Sequence, residues 1–219
     1  MAETAGPGRS AGPVAVVSGV SGFAGEAGAA VARRFAADGA RVVCADPDER
    51  AGQAVARSVG GLFVHTDPLD EYMVEALFDE VYERFGGIDA VFHGTSGPPP
   101  GDGPALETSP DAWRAVQDSR LTAVFLGCRA VLPYLRRHGR GSVVNLAGPA
   151  VEGGVAAVAA AAGVVALTRE LAARFGPEGI RFNALGADAG RVDRLAAAAA
   201  YLAGEASAGV NGTVIRFSP

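Results

Sequence analysis

Between Val143 and Thr168 the chain reads VVNLAGPAVEGGVAAVAAAAGVVALT, and its only charge there is Glu152. The apolar run at 142–146 predicts a buried strand, and the Ala/Gly/Val stretch after the glycines predicts a helix ending near Phe175. A helix with no polar face must be covered on nearly every side. The rest of the chain alternates the same two patterns. Apolar runs at 14–17, 41–45, 62–66, 88–92, 180–185 and 213–217 read as further strands. Between them, helical periodicity runs to Asp38, from Asp48 to about Val59, over 69–85, from Ser109-Pro110 to about Arg137, and over 193–202. Asp48 and Ser109 are suitable N-caps, and Pro110 suits the first helical position. Seven strands alternating with helices through short loops predict an α/β fold. It is a single doubly wound parallel sheet with helices on both faces. Residues 1–12 are small, polar and rich in Gly, Pro and Ala, which predicts a disordered tail before one domain over 13–219. Neither an internal repeat nor a linker interrupts that domain.

Composition narrows the class of function. A net charge of -5 argues against nucleic acid as a partner. All 19 basic residues are Arg, so no chemistry here uses a lysine amine. The Ala-rich composition is that of a GC-rich genome and suits a bacterial pathway. Cys44 and Cys128 lie in apolar segments and read as buried free thiols in a reducing, cytoplasmic setting. No Cys/His cluster has metal-ligand spacing. No stretch reads as long and apolar enough to span a membrane, and the N-terminus lacks the pattern of a secretory signal.

Several segments together carry a family resemblance. They are FAADGARVVCADPD, HTDPLDEYMVEALFDEVYERFGGIDAVF, ETSPDAWRAVQDSRLTAVFLGCRAVLPYL, GSVVNLAG, GVVALTRELAARFGPEGIRFNAL and EASAGVNGTVIRF. Nearly all of the chain after the tail resembles the short-chain dehydrogenase/reductase family, Rossmann-fold proteins that move hydride to or from nicotinamide cofactors. The resemblance implies an Asn, a Ser, a Tyr and a Lys at the reacting centre. Those positions fall here on Arg120, Ala147 or Gly148, Ala157 and Ala161. No Tyr lies between Tyr134 and Tyr201, and no Ser between Ser142 and Ser207.

The resemblance also implies a cofactor site. SGVSGFAGEAG places Gly19, Gly22, Gly25 and Gly28 where the family has TGxxxGxG. Counting from the strand puts Gly19 first; counting back from Phe35 and Gly39 puts Gly22 first and Glu26 at the second glycine. A tight turn that binds nothing is the alternative. Asp46 matches the residue that binds the adenosine ribose in NAD-preferring members, which favours NAD over NADP if either is bound. Asp67 matches the Asp beside the adenine. Each has a structural alternative, Asp46 opening a loop and Asp67 capping the next helix. The family's NNAG reads His93-Gly94-Thr95-Ser96, and its Pro-Gly after strand six reads Ala187-Asp188. His93, Arg120 and Asp188 are the remaining candidates for chemistry, all at the carboxyl edge of the sheet, where such folds bind ligands.

With the proton-delivering residues absent, the sequence is read as a catalytically inactive structural or regulatory subunit. Its expected partner is an active paralogue or a second copy, through the helices at 109–137 and 155–175. The alternatives are an oxidoreductase or non-redox enzyme with a rewired site, or a homo-oligomeric ligand binder.

Overall fold

Alternation with a period of two sends successive residues of each apolar run to opposite faces, so a strand buried on both sides needs helices above and below it. The computed structural model describes residues 12–21, 25–94, 101–148, 154–186 and 192–217. Its elements are β1 (Val14–Ser18), α1 (Gly25–Ala37), β2 (Arg41–Asp46), α2 (Glu49–Ser58), β3 (Leu62–His65), α3 (Glu71–Phe85), β4 (Ala90–His93), α4 (Pro110–Gln117), α5 (Ala123–His138), β5 (Gly141–Leu146), α6 (Val155–Phe175), β6 (Ile180–Leu185), α7 (Val192–Ala203) and β7 (Val214–Ile215). The strands form one sheet in the order β3-β2-β1-β4-β5-β6-β7, with every pairing parallel.

Both faces are packed. Val16, Val43, Val91, Val143 and Phe182 meet α3, α5 and α6 on one side. Their neighbours Val17, Cys44, Phe92, Val144 and Leu185 meet α1, α2 and α7 on the other. Strand order reverses between β1 and β4, and the register there sets Ser18 beside His93. The carboxyl ends of these two strands are therefore the point from which connections leave in opposite directions.

Two of three expectations need correction. The helix expected to run unbroken over 109–137 contains a π-helical segment, Asp118–Thr122, between α4 and α5. One extra residue per turn there changes which side chains face inward, and periodicity alone does not reveal it. Second, the Ala-rich helix leaves Val155 and Val158 each 38% exposed, so the cover expected on that face is not supplied by its own chain and the expectation itself stands. Third, residues Val155–Glu178 are long and apolar enough, by length and composition, to cross a membrane, with mean hydropathy 1.6. Alanine is the reason, since a run of small apolar side chains reaches that hydropathy without large ones. In this fold the helix lies against β6 and α4.

The end of α7 is fastened to β6 by Arg181. Its Nη1 donates to the Leu202 carbonyl at 2.8 Å and to Ser207 Oγ at 2.9 Å, and Nη2 donates to the Gly204 carbonyl at 3.1 Å. A cation at the carbonyl end of a helix also opposes the helix dipole. Arg181→Met is expected to lower unfolding stability by about 2 kcal/mol in urea titration, since charged hydrogen bonds are lost and carbonyls stay half-buried.

Candidate functional site at the carboxyl edge of the sheet

Backbone packs directly on backbone where β1 ends. Gly19 has φ 72°, which other residues rarely adopt. Its amide donates to the Ala45 carbonyl at 3.0 Å, and Gly94 donates to the Ser18 carbonyl at 3.0 Å. A Cβ at Gly28 would stand 2.1 Å from the Gly19 carbonyl oxygen, and one at Gly94 would stand 2.6 Å from that of Ser18. Gly28 thus seats α1 on the strand end. The two ways of counting the glycines are reconciled by this contact. Gly19 is the turn glycine reached from the strand, and Gly28 is the packing glycine reached from the helix. Nine positions separate them where TGxxxGxG has six, so the turn is three residues longer. Gly22 lies outside the described residues, and Gly25 opens α1. Glu26 is exposed in the first turn of α1. The first N–H groups of a helix have no partner within it, so the start of α1, at the sheet edge, suits an anion such as a pyrophosphate.

Asp46 is 2% exposed and holds this turn. Its Oδ2 accepts from the amides of Val20 and Ser21, both at 2.8 Å, and Oδ1 accepts from Asp48 N at 2.9 Å and from Ser21 Oγ. A carboxylate has about four acceptor sites, and all are used here. The amides of Gly19, Val20 and Ser21 are thus all engaged within the protein, which leaves the first turn of α1 to meet a phosphate, and Asp46 has no lone pair left for a ribose hydroxyl as the turn stands. Asp67 is exposed after β3 and accepts from Leu69 N at 2.9 Å, and Asp70 caps α3.

His93 ends β4 and is 4% exposed. Its Nδ1 lies 3.3 Å from Ser18 Oγ, and a Cβ at Gly127 would come within 2.3 Å of its Cε1. Among the described residues Nε2 has no hydrogen-bond partner. Beside the ring is a cavity of about 30 Å³, the volume of about one water. Burial pushes the His93 pKa down to about 4.

Arg120 lies in the π-helical segment and is 7% exposed. A Cβ at Gly148 would stand 2.8 Å from its Nη1. Gly148 has φ 74°, so a bare backbone is what leaves room for the guanidinium. Arg120 Nε has no hydrogen-bond partner among the described residues. Burial lowers its pKa, and the field of Asp102 opposes that. Asp102 itself is engaged elsewhere: Oδ1 accepts from Ala156 N at 3.1 Å and Oδ2 from Ala157 N at 2.9 Å, capping α6 from a distant loop. Ala157 and Ala161 are buried on α6, at 2% and 6% exposure. Next to them a cavity of about 110 Å³ is lined by Gly148, Val158, Ala161, Gly186 and the exposed Arg216.

The structure thus brings Arg120 to Gly148 and sets Asp46 under the glycine turn. His93 belongs to a different neighbourhood, facing Ser18 and Gly127, and Asp188 lies outside the described residues. Sequence reasoning missed Asp102, Ser21 and Arg216. Asp102 sits in a Gly/Pro loop and caps a helix that starts 53 positions later at Val155, so no local spacing could flag it.

The family model described as enoyl-(acyl carrier protein) reductase matches residues 22–189. The chain is 35% identical over 182 residues to L-fucose dehydrogenase of Oryctolagus cuniculus, covering 81% of this chain and 62% of that protein. It is 36% identical over 179 residues to meso-2,3-butanediol dehydrogenase of Serratia marcescens, covering 78% of this chain and 69% of that protein. Among solved structures, a short chain dehydrogenase from Mycobacterium smegmatis is 28% identical, with TM-score 0.85, covering 100% of this chain and 97% of that one. The expectation of a catalytically inactive subunit is overturned by these relatives, which are named dehydrogenases at 35–36% identity. That the chain has no Lys, no Tyr between Tyr134 and Tyr201 and no Ser between Ser142 and Ser207 does not make it inactive.

Burial of His93 sets a pH dependence. Its folded pKa of about 4 lies below the ordinary 6.5, so between them the unfolded chain binds more protons. The stability is fully present above pH 6.5 and falls as pH drops toward 4. From pH 6.5 to 5 the unaltered protein is expected to lose about 1.5–2 kcal/mol more than His93→Gln, measured by urea unfolding at both pH values.

Proposed function

The chain belongs to the short-chain dehydrogenase/reductase family, and on that premise we propose that it is an NAD-dependent oxidoreductase interconverting an alcohol and its carbonyl counterpart. The observation that carries this reading is the glycine turn at the strand-order reversal, with the first turn of α1 seated on it and Asp46 buried beneath. The names of the relatives, dehydrogenases of a sugar and a diol, support the reaction type.

The chain's own residues would act as follows. The amides of the first turn of α1 hold the phosphates. The Asp46 charge disfavours a 2′-phosphate: like charges at about 4 Å cost roughly 1–4 kcal/mol at effective dielectrics of 80 to 20. NAD is therefore preferred to NADP. The chemistry that a nicotinamide supplies is two-electron hydride transfer. At the reacting corner Ala157 and Ala161 offer no proton, so the hydroxyl proton is exchanged with water. Arg120 and Arg216 raise the local positive potential at Gly148, which favours the alkoxide form of an alcohol.

A second copy of the chain is the proposed partner, through the helices over 109–137 and 155–175. Trp113, Phe125, Val155 and Val158 are 39%, 46%, 38% and 38% exposed on these helices. An apolar surface of that kind suits a stable interface, which typically buries about 1,600 Å².

Two measurements test these readings. The purified protein is expected to reduce NAD with secondary alcohols, followed by cofactor absorbance, with kcat/KM at least about tenfold lower for NADP, the factor that 1.4 kcal/mol represents. Absence of turnover across sugars, diols and hydroxy acids overturns the proposal. Phe125→Asp combined with Val158→Asp is expected to leave a folded monomer in analytical ultracentrifugation, where the unaltered chain sediments as an oligomer.

A further inference from the structure

Arg120 is a cation almost wholly removed from water, and no side chain among the described residues pairs with it. Among the described residues it forms no ion pair, and its Nε has no hydrogen-bond partner. The carboxylate whose field reaches it, Asp102, directs both oxygens to the amides of Ala156 and Ala157. A buried charge without a partner is costly, so a group of this kind beside a cavity invites a counter-ion. The guanidinium remains charged, since arginine does not deprotonate in proteins.

The space beside it has the matching shape. Arg120 Nη1 lies over Gly148, and Gly148 also lines the cavity of about 110 Å³. That volume equals about four waters at roughly 30 Å³ each. Val158, Ala161 and Val165 supply apolar wall, and Arg216 stands across it, its Cγ 3.2 Å from where a Cβ of Gly186 would be. Among the described lining residues of this cavity there is no carboxylate. An exposed guanidinium and small apolar side chains line the cavity, and the buried guanidinium of Arg120 lies against its Gly148 wall, an arrangement that suits a small molecule with one negative end. A planar guanidinium pairs well with a carboxylate, through two parallel hydrogen bonds.

We propose that Arg120 and Arg216 form a carboxylate-binding site at Gly148, so that the substrate of this protein is a small organic acid bearing a hydroxyl or keto group. The substrate class rests on the oxidoreductase reading above; the binding site does not.

Titration calorimetry of the full chain without cofactor tests the site, with pyruvate as probe and pyruvamide as its uncharged control. Pyruvate is expected to bind, and pyruvamide to bind at least tenfold more weakly. Arg120→Gln is expected to weaken pyruvate binding at least tenfold, and Arg216→Gln severalfold. Arg216 is exposed, so its variant keeps the test decisive if Arg120→Gln does not fold. Equal affinity for pyruvate and pyruvamide, no binding of pyruvate, or unchanged affinity in either folded variant overturns the site. The two readings fail separately. Pyruvate binding without any NAD-dependent turnover defeats the oxidoreductase and leaves the site standing. Turnover of neutral alcohols without pyruvate binding does the reverse.

Discussion

Three glycines that allow main chain to touch main chain hold the carboxyl edge of this sheet together. Gly19, Gly28 and Gly94 each sit where a methyl group would collide with a neighbouring carbonyl. Because they have no Cβ, β1 and β4 end side by side, and α1 starts on top of the strand end. Everything chemical in the molecule is then referred to that edge. Asp46 is brought under the turn by the β1–β2 register, and it receives the amides of Val20 and Ser21 that the sharp turn leaves without strand partners. Had any of the three glycines been larger, the strand ends would part and the turn would lose its support.

A second constraint acts on the far side of the switch point. The π-helical segment turns Arg120 inward, and the left-handed backbone at Gly148 makes room for it. Asp102 reaches the start of α6 and supplies the acceptors that the first turn of a helix needs. The same loop therefore fixes α6 and leaves the guanidinium without a counter-ion among the described residues. Ala161 extends this logic as a small wall of the cavity beside Gly148, while Ala157 packs with Val116 and Ala160 in the core.

The sheet, its helices and the two packed faces were legible in the chain because period-two runs and helical stripes are local signals. Caps at Asp48 and Ser109 were legible for the same reason. The glycine turn was legible only in halves. Gly19 follows from the strand and Gly28 from the helix, and the added length between them had to be seen in space. Arg120 was located through the family resemblance, but its burial against Gly148 depends on a bulge that the sequence pattern does not announce. Asp102 and Arg216 were invisible because each acts on an element far away along the chain. The inactive-subunit reading erred by treating three absent side chains as the absence of reactivity, when the relatives at similar identity are dehydrogenases.

The outward face of α6 bears on how the chain is made. Val155–Glu178 has the length and hydropathy of a bilayer-crossing segment, yet it docks on a strand, Ile180–Leu185, that is synthesised after it. During translation the helix is therefore made before one of the elements it packs on. Until β6 joins the sheet, that side of the helix is without its cover. Rapid addition of β6 to the sheet withdraws that surface, so the short connection between helix and strand serves the biogenesis of the protein as well as its shape.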